Sequence, residues 1–367
     1  MLITGKTGTG KSHLLSVIAD QDMADGLGFA VFDPHGDLAR SLAERVRAVR
    51  PKDLIFVDPA DPSSPWRFNP FGGVPFDEQP LAAAGIVEVF KKLWSDDWGP
   101  RLEHVLRNVA YTLLETPAST FADVPELLVD RSFRSGIARD LTNPIVRSFW
   151  YDEFDKYTPA FRATAIAPLQ NKIGALLTDP NLRRFFTEPG SPLDLSRIMN
   201  ENKILIINLD KGVLGEGPAT VVGSLLLSHI GLAGLARSRT SAAQRADFSV
   251  TLDEFQLFTT QSIVNMLSEL RKFRVSLILA TQYLGALDRP IRDSVFGNVG
   301  SLISFRLGAT DASYMSREFA PVFLAEDLIS LEKFNVCLRL MVEGAQTRPF
   351  SAVTLESSPA SMGSAPV

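Results

Sequence analysis

Cysteine is almost missing. Cys337 is the one cysteine in 367 residues, so no disulfide can form within the chain, which fits a reducing compartment and leaves stability to a packed core. Histidine is scarce as well: positions 13, 35, 104 and 229 lie too far apart to match a metal-binding spacing. Positive charge is not in excess. There are 37 Lys and Arg against 42 Asp and Glu, a formal net charge of −5, which excludes a surface that coats nucleic acid all round. Residues 1–18 lack the basic start and unbroken apolar core of a signal peptide. Apolar mass is plentiful, at 45% hydrophobic residues, enough for one large core or two ordinary ones.

Charge is also absent from one long run. ATVVGSLLLSHIGLAGLA (219–236) carries no Asp, Glu, Lys or Arg, and its length alone suits a bilayer span. Thr220, Ser224, Ser228 and His229 interrupt it, however, and KILIINLD (203–210) just ahead reads as a buried strand. The expectation is a buried helix packed on a sheet, and no transmembrane span in this chain.

What is present begins at once, in MLITGKTGTGKSHLL. Gly5-Lys6-Thr7-Gly8-Thr9-Gly10-Lys11-Ser12 fits G-x-x-x-x-G-K-[ST]. Leu2-Ile3 before it reads as a strand end, and Leu14, Leu15, Val17 and Ile18 after it suit a helix face. In that context the glycines allow a tight loop whose amides turn around phosphate oxygens at the positive end of a helix dipole. Lys11 reaches the β- and γ-phosphates, the Ser12 hydroxyl ligates Mg²⁺, and the nucleotide-contacting set runs from Gly5 through His13. The plainer account is a glycine-rich turn with no ligand.

Far downstream, DFSVTLDEFQLF (247–258) places Asp253-Glu254 at the end of a short buried-strand pattern. An acid there binds the Mg²⁺ shell, the part for Asp253, and the next carboxylate, Glu254, can polarise a water for in-line attack. SIVNMLSELRKFR (262–274) has helical spacing, and Arg271 near its end is explained equally well as a dipole-matching cation. VSLILATQYL (275–284) reads as another buried strand, ending in Thr281-Gln282. Gln282 can hold the attacking water, or be a solvated strand end. DPHGDL (33–38) follows the strand GFAVF. Its Asp33, His35 and Asp37 can touch ligand, or form a turn in which Asp37 caps a helix starting near Leu38. FNPF (68–71) has the same two readings. From about Val74 to Asn200 helix patterns dominate, as in RLEHVLRNVAYTLLE (101–115), with the aromatics around Trp150 as core.

Taken in order, GKTGTGKS, VFDPHGDL, FNPF, VTLDEFQLF, LSELRKF and ILATQYL resemble the RecA-like motor ATPases of conjugative DNA transfer. These are the TraG/TraD-type coupling proteins of type IV secretion, close to the HerA/FtsK group of DNA translocases. The similarity runs through nearly the whole chain, including GNVGSLISFRLGATDA (297–312). It implies an α/β fold, a RecA-like P-loop NTPase core with a central mostly parallel sheet and an inserted all-helical domain. The core then covers 1–73 and 201–355, the insertion 74–200, and the polar tail 356–367 is disordered. It implies ATP and Mg²⁺ as cofactors, with Lys11 and Ser12 as phosphate-loop residues, Asp253 as the magnesium acid, Glu254 as catalytic base and Gln282 as the glutamine after the next strand. Arg271 sits where the family carries an arginine finger that reaches a neighbouring subunit's ATP. The implied partners are DNA in a ring pore, further copies making a hexamer, and relaxosome and membrane-channel proteins of a secretion system. The implied location is cytoplasmic, peripheral at the inner membrane through those partners.

Three departures from the family pattern stand out. No amino-terminal membrane anchor precedes the loop, and the chain starts almost inside it, as a fragment, a late-start gene product or one that relies on another chain would. The acidic balance confines any DNA path to local patches, for which Arg183, Arg184, Arg237, Arg239 and Arg245 are candidates beside plain surface charge. Besides a DNA-pumping ATPase, two functions stay open: a secretion ATPase that moves protein or drives channel assembly, and a nucleotide-binding scaffold that does not turn over.

Overall fold

Buried β-branched runs that cannot be solvated on either face are the raw material of a parallel sheet. In the computed structural model, which describes residues 1–94, 98–260 and 269–355, such runs supply most of a nine-stranded sheet. In chain order its strands are β1 (Leu2–Thr4), β2 (Gly28–Asp33), β3 (Leu54–Val57), β4 (Ile204–Asn208), β5 (Phe248–Leu252), β6 (Val275–Thr281), β7 (Leu302–Ser304), β8 (Asn335–Arg339) and β9 (Phe350–Val353). Across the sheet the order is β9-β8-β7-β1-β6-β5-β2-β4-β3. The seven from β7 to β3 are mutually parallel, and β8 and β9 join antiparallel at one edge. This is the RecA-like α/β fold expected from the sequence. Every residue of β2 and β4 is buried, so both faces are covered.

Two features of this order position the site. All seven parallel strands end on the same side, where α/β sheets bind ligands. The strand that leads into Gln282, β6, lies between β1, which feeds the phosphate loop, and β5, which leads into Asp253. Helices α1 (Lys11–Ala24) and α2 (Asp37–Val49) share one apolar core with the sheet, Leu15, Leu42 and Val46 meeting Ile3, Val31 and Ile206.

The chain divides into two compact units. The first is Met1–Val57, Ser196–Asp210 and the described residues from Gly234 on, and it holds the sheet. The second is Asp58–Leu195 with Lys211–Ala233. It is mostly helical, including Gln79–Leu93, Pro100–Glu115, Asp123–Val129, Arg131–Asp140 and Pro159–Thr178. Its helix starts are set by side chains that accept backbone amides: Asp130, Asn143, Thr158 and Asp179. Phe149, Trp150 and Phe154 are core, as their spacing suggested, and the Trp150 indole N–H donates to Thr112 Oγ1 at 2.8 Å. Phe68 and Phe71 of FNPF are buried too, while Asn69 donates to the Ser119 carbonyl at 2.6 Å, so this stretch is structural.

The structure refines three expectations. The apolar helix Glu216–Ala236 is indeed interior, with 83% of its most apolar window buried. Most of it groups with the helical unit, with Ser228 facing Gly85 and the His229 ring bracketed by the Leu225 and Pro70 carbonyls, each at 2.9 Å. The helix start after β2 is capped by Asp33, not Asp37: Asp33 Oδ2 accepts the Ala39 amide at 2.9 Å and Oδ1 that of His35. Asp37 is the first helical residue and pairs with Arg40. Arg184, Arg237 and Arg245 are engaged within the protein. They spend their guanidinium donors on backbone carbonyls, Arg237 on Met199, Ala246 and Phe273 and Arg184 on Pro59 and Asp61.

Candidate functional site

The chain leaves β1 at Thr4, turns through Gly5–Gly10 and enters α1 at Lys11. The turn demands glycine at Gly10, where φ is 122° and a Cβ would lie 2.8 Å from the Phe334 ring. The Thr9 hydroxyl donates to the Lys6 carbonyl at 2.7 Å and closes the loop on itself. Lys11 is buried, and its ammonium donates to the carbonyls of Gly5 at 2.6 Å and Lys6 at 3.3 Å. Burial pushes that ammonium below its ordinary pKa, against the pull of Glu254 and Asp253. Ser12 and His13 open the first turn of α1 beside it, so amides, a cation and a hydroxyl face one cleft of about 600 Å³.

The opposite wall is acidic. Asp253 and Glu254 follow β5 and are only 4% and 5% exposed. Glu254 adopts a left-handed backbone, φ 47°, which a glutamate enters only at a cost, and this turns its carboxylate toward the cleft. Its Oε2 accepts from the Gln256 amide at 2.8 Å and the Gln282 backbone N–H at 3.3 Å, while Oε1 is buried without a partner. Gln282 Oε1 in turn accepts the Thr7 hydroxyl, a bond from the strand tip to the phosphate loop.

A third carboxylate, that of Asp33, lines the same cleft. Burial, then Glu254 and Asp33, push the Asp253 carboxyl up to about 7, with Lys11 opposing them. Four carboxylates, those of Asp33, Asp37, Asp253 and Glu254, line the cleft with three cations, Lys11, Arg45 and Lys333, of which only Lys11 is buried. Among the described residues no group of three or more His, Cys, Asp or Glu is set to chelate a metal unaided. Both facts fit Mg²⁺, which takes one or two carboxylates and completes its shell with water and phosphate oxygens.

The sequence candidates thus fall into two groups. The loop from Gly5 to His13, Asp253, Glu254 and Gln282 stand together in one unit. Arg271 does not join them: it lies in the short turn Arg271–Phe273 before β6, at the opposite end of the parallel strands, exposed. The seven residues of β6 separate it from Gln282, about 20 Å at the usual strand rise. Of the helix expected over 262–274, residues 262–268 lie outside the described residues. Lys333 and Phe334, which also line the cleft, carry no motif and arrive from a turn before β8. Only their neighbourhood to Gly10 in space marks them.

Comparison with known proteins agrees with this geometry. Residues 1–230, more than half of the chain, match the family described as helicase HerA, central domain. No curated protein matches the sequence. Among solved structures, the unbound bacterial conjugative coupling protein TrwBdeltaN70 superposes with a TM-score of 0.69 at 16% identity, over 97% of this chain and 85% of that one. TrwB in complex with ADP and Mg²⁺ gives 0.64 at 16% identity, with the same coverage. VirB4 of Thermoanaerobacter pseudethanolicus gives 0.63 at 13% identity, over 98% and 90%. With residues 1–230 matched by the family model, the chain belongs to the HerA helicase central-domain family, and it has the RecA-like fold of the conjugative coupling and type IV secretion ATPases.

Proposed function

We propose that this chain is an ATP-hydrolysing motor that translocates DNA toward a type IV secretion channel, working as a ring of identical subunits. The observation that carries the reading is the meeting of Lys11, Asp253, Glu254 and Gln282 at one cleft. The sequence resemblance to coupling proteins supports it, and so does TrwB's complex with ADP and Mg²⁺. Gly5–His13 hold the triphosphate by backbone amides, and Lys11 leaves its carbonyl partners to bind the β- and γ-phosphates. Ser12 and Asp253 would hold Mg²⁺, which would supply charge that neutralises the phosphates. Glu254 takes a proton from the attacking water through Oε1, the oxygen left without a partner. Gln282, fixed to Thr7 and the Glu254 turn, orients that water. Arg271, too far away to serve its own cleft, serves a neighbour's. The helical stretch 74–200 is the inserted domain, facing DNA or relaxosome partners, and a cytoplasmic position beside the inner membrane follows from those partners.

The test is ATP turnover with and without single- or double-stranded DNA. We expect DNA to accelerate the wild type and Lys11→Ala to lower turnover at least about 10²-fold in every setting. Hydrolysis indifferent to DNA would move the reading to protein transport or channel assembly. Tight ATP binding with no turnover would leave a scaffold.

A further inference from the structure

The phosphate cleft ends in an aromatic corner that the phosphate chemistry does not use. Phe334 precedes β8 with φ 69°, a left-handed backbone that a bulky aromatic residue rarely takes. Three bonds hold it there. Its N–H donates to the Thr9 carbonyl at 2.9 Å, and its carbonyl accepts the Thr354 N–H at 2.9 Å and the Thr354 hydroxyl at 3.2 Å. The first ties this turn directly to the phosphate loop. The ring lies against Gly10, and the His13 imidazole meets it edge-on, with centroids 5.6 Å apart and planes at 69°. The Lys333 ammonium sits 4.7 Å from the ring centre. Lys333 is exposed and Phe334 is half-buried, so neither is sealed in a core.

The location has a chemical meaning. In a loop of this type the γ-phosphate end lies toward the catalytic acid and the strand-tip amide, here Glu254 and Gln282. The α-phosphate end lies past Ser12, at His13 in the first turn of the helix. Whatever follows the α-phosphate leaves the loop beside His13. Phe334 is the one Phe, Tyr or Trp among the described residues that line this cleft. We infer that Phe334, with His13 at its edge, is the platform on which the purine base of the nucleotide stacks, and that Lys333 swings off the ring toward the phosphates when the base arrives. The strained backbone is then the means of holding a ring against Gly10, where a regular strand would point it elsewhere. The inference rests on the nucleotide reading above and adds to it the seat of the base.

The experiment separates base from phosphate. Binding of Mg²⁺-ADP and of Mg²⁺-tripolyphosphate is measured for the wild type, Phe334→Ala, Phe334→Trp and Lys11→Ala. Phe334→Ala keeps the backbone bond to Thr9. We expect it to weaken ADP by about 10-fold or more, in line with a lost base–aromatic stack, and to leave tripolyphosphate unchanged. Phe334→Trp restores ADP affinity, and its added fluorescence is quenched by ADP but not by tripolyphosphate. If Phe334→Ala binds ADP as the wild type does, or loses both ligands equally, Phe334 is no base platform, the second result making it a buttress of the loop. If the wild type holds tripolyphosphate no better than Lys11→Ala, the nucleotide site itself is wrong, and this inference falls with it.

Discussion

At the end of β5 the chain buries two adjacent acids, and Asp33 adds a third beside them. The Asp253 carboxyl is raised from 3.8 to about 7 by burial, Glu254 and Asp33. A carboxyl whose folded value exceeds its unfolded one binds protons more readily in the folded state, so its ionisation works against folding. The destabilisation is absent below the ordinary value of 3.8, grows as pH rises, and is complete above about 7. In protein freed of nucleotide and magnesium, we therefore expect Asp253→Asn to raise Tm at pH 8, by about 2–4 °C for each kcal/mol of repulsion relieved. The gain should shrink toward pH 4 in a thermal scan series. A gain of equal size at both pH values would mean that Asp253 carries no such burden.

One scale up, the helix Glu216–Ala236 shows how an element finds its partner. Its apolar run made it readable as buried. Its neighbour was not readable, because that depends on a single small residue on another helix. Gly85, on Gln79–Leu93, lets the helices approach so closely that a Cβ there would lie 2.2 Å from Ser228 Oγ and 3.5 Å from Ser228 Cβ. Ser228 is 1% exposed, and its hydroxyl is buried without a partner. Gly85→Ala should then cost about 1–3 kcal/mol by overpacking. Ser228→Ala alone should be neutral or slightly stabilising, since it removes an unsatisfied buried hydroxyl. The double variant should regain most of the loss, because only the ordinary 3.5 Å contact remains. Urea unfolding of the four proteins measures this coupling, and simple additivity would refute the close contact.

For the molecule as a whole, the sheet puts Arg271 and the acid pair at opposite strand ends, so one subunit cannot bring them together. If Arg271 acts in hydrolysis, it acts on another copy. We expect Arg271→Ala and Glu254→Gln each to lower ATP turnover by about 10³-fold or more, as loss of a trans arginine does elsewhere. Mixed together they should recover a measurable part of it, because some interfaces then pair an intact Arg271 with an intact Glu254. Rates in the mixture no higher than the average of the two variants would remove the trans assignment.

The sequence by itself determined what depends on neighbouring residues along the chain. The phosphate loop, its flanking strand and helix, the acid pair closing β5 and Gln282 closing β6 were legible, because glycine spacing and apolar runs are local properties. The tertiary structure alone decided what depends on contacts between distant segments. It set β6 between β1 and β5, so that Thr7 reaches Gln282, and it gave Asp33 both a helix cap and a place in the acidic wall. It also turned Arg184, Arg237 and Arg245 inward onto carbonyls. Phe334 shows the division most plainly, since it is an unremarked residue in the chain and the wall of the cleft in the fold. Its position follows from a strand pairing formed over 300 residues after the loop it touches, and no local pattern encodes a contact of that range.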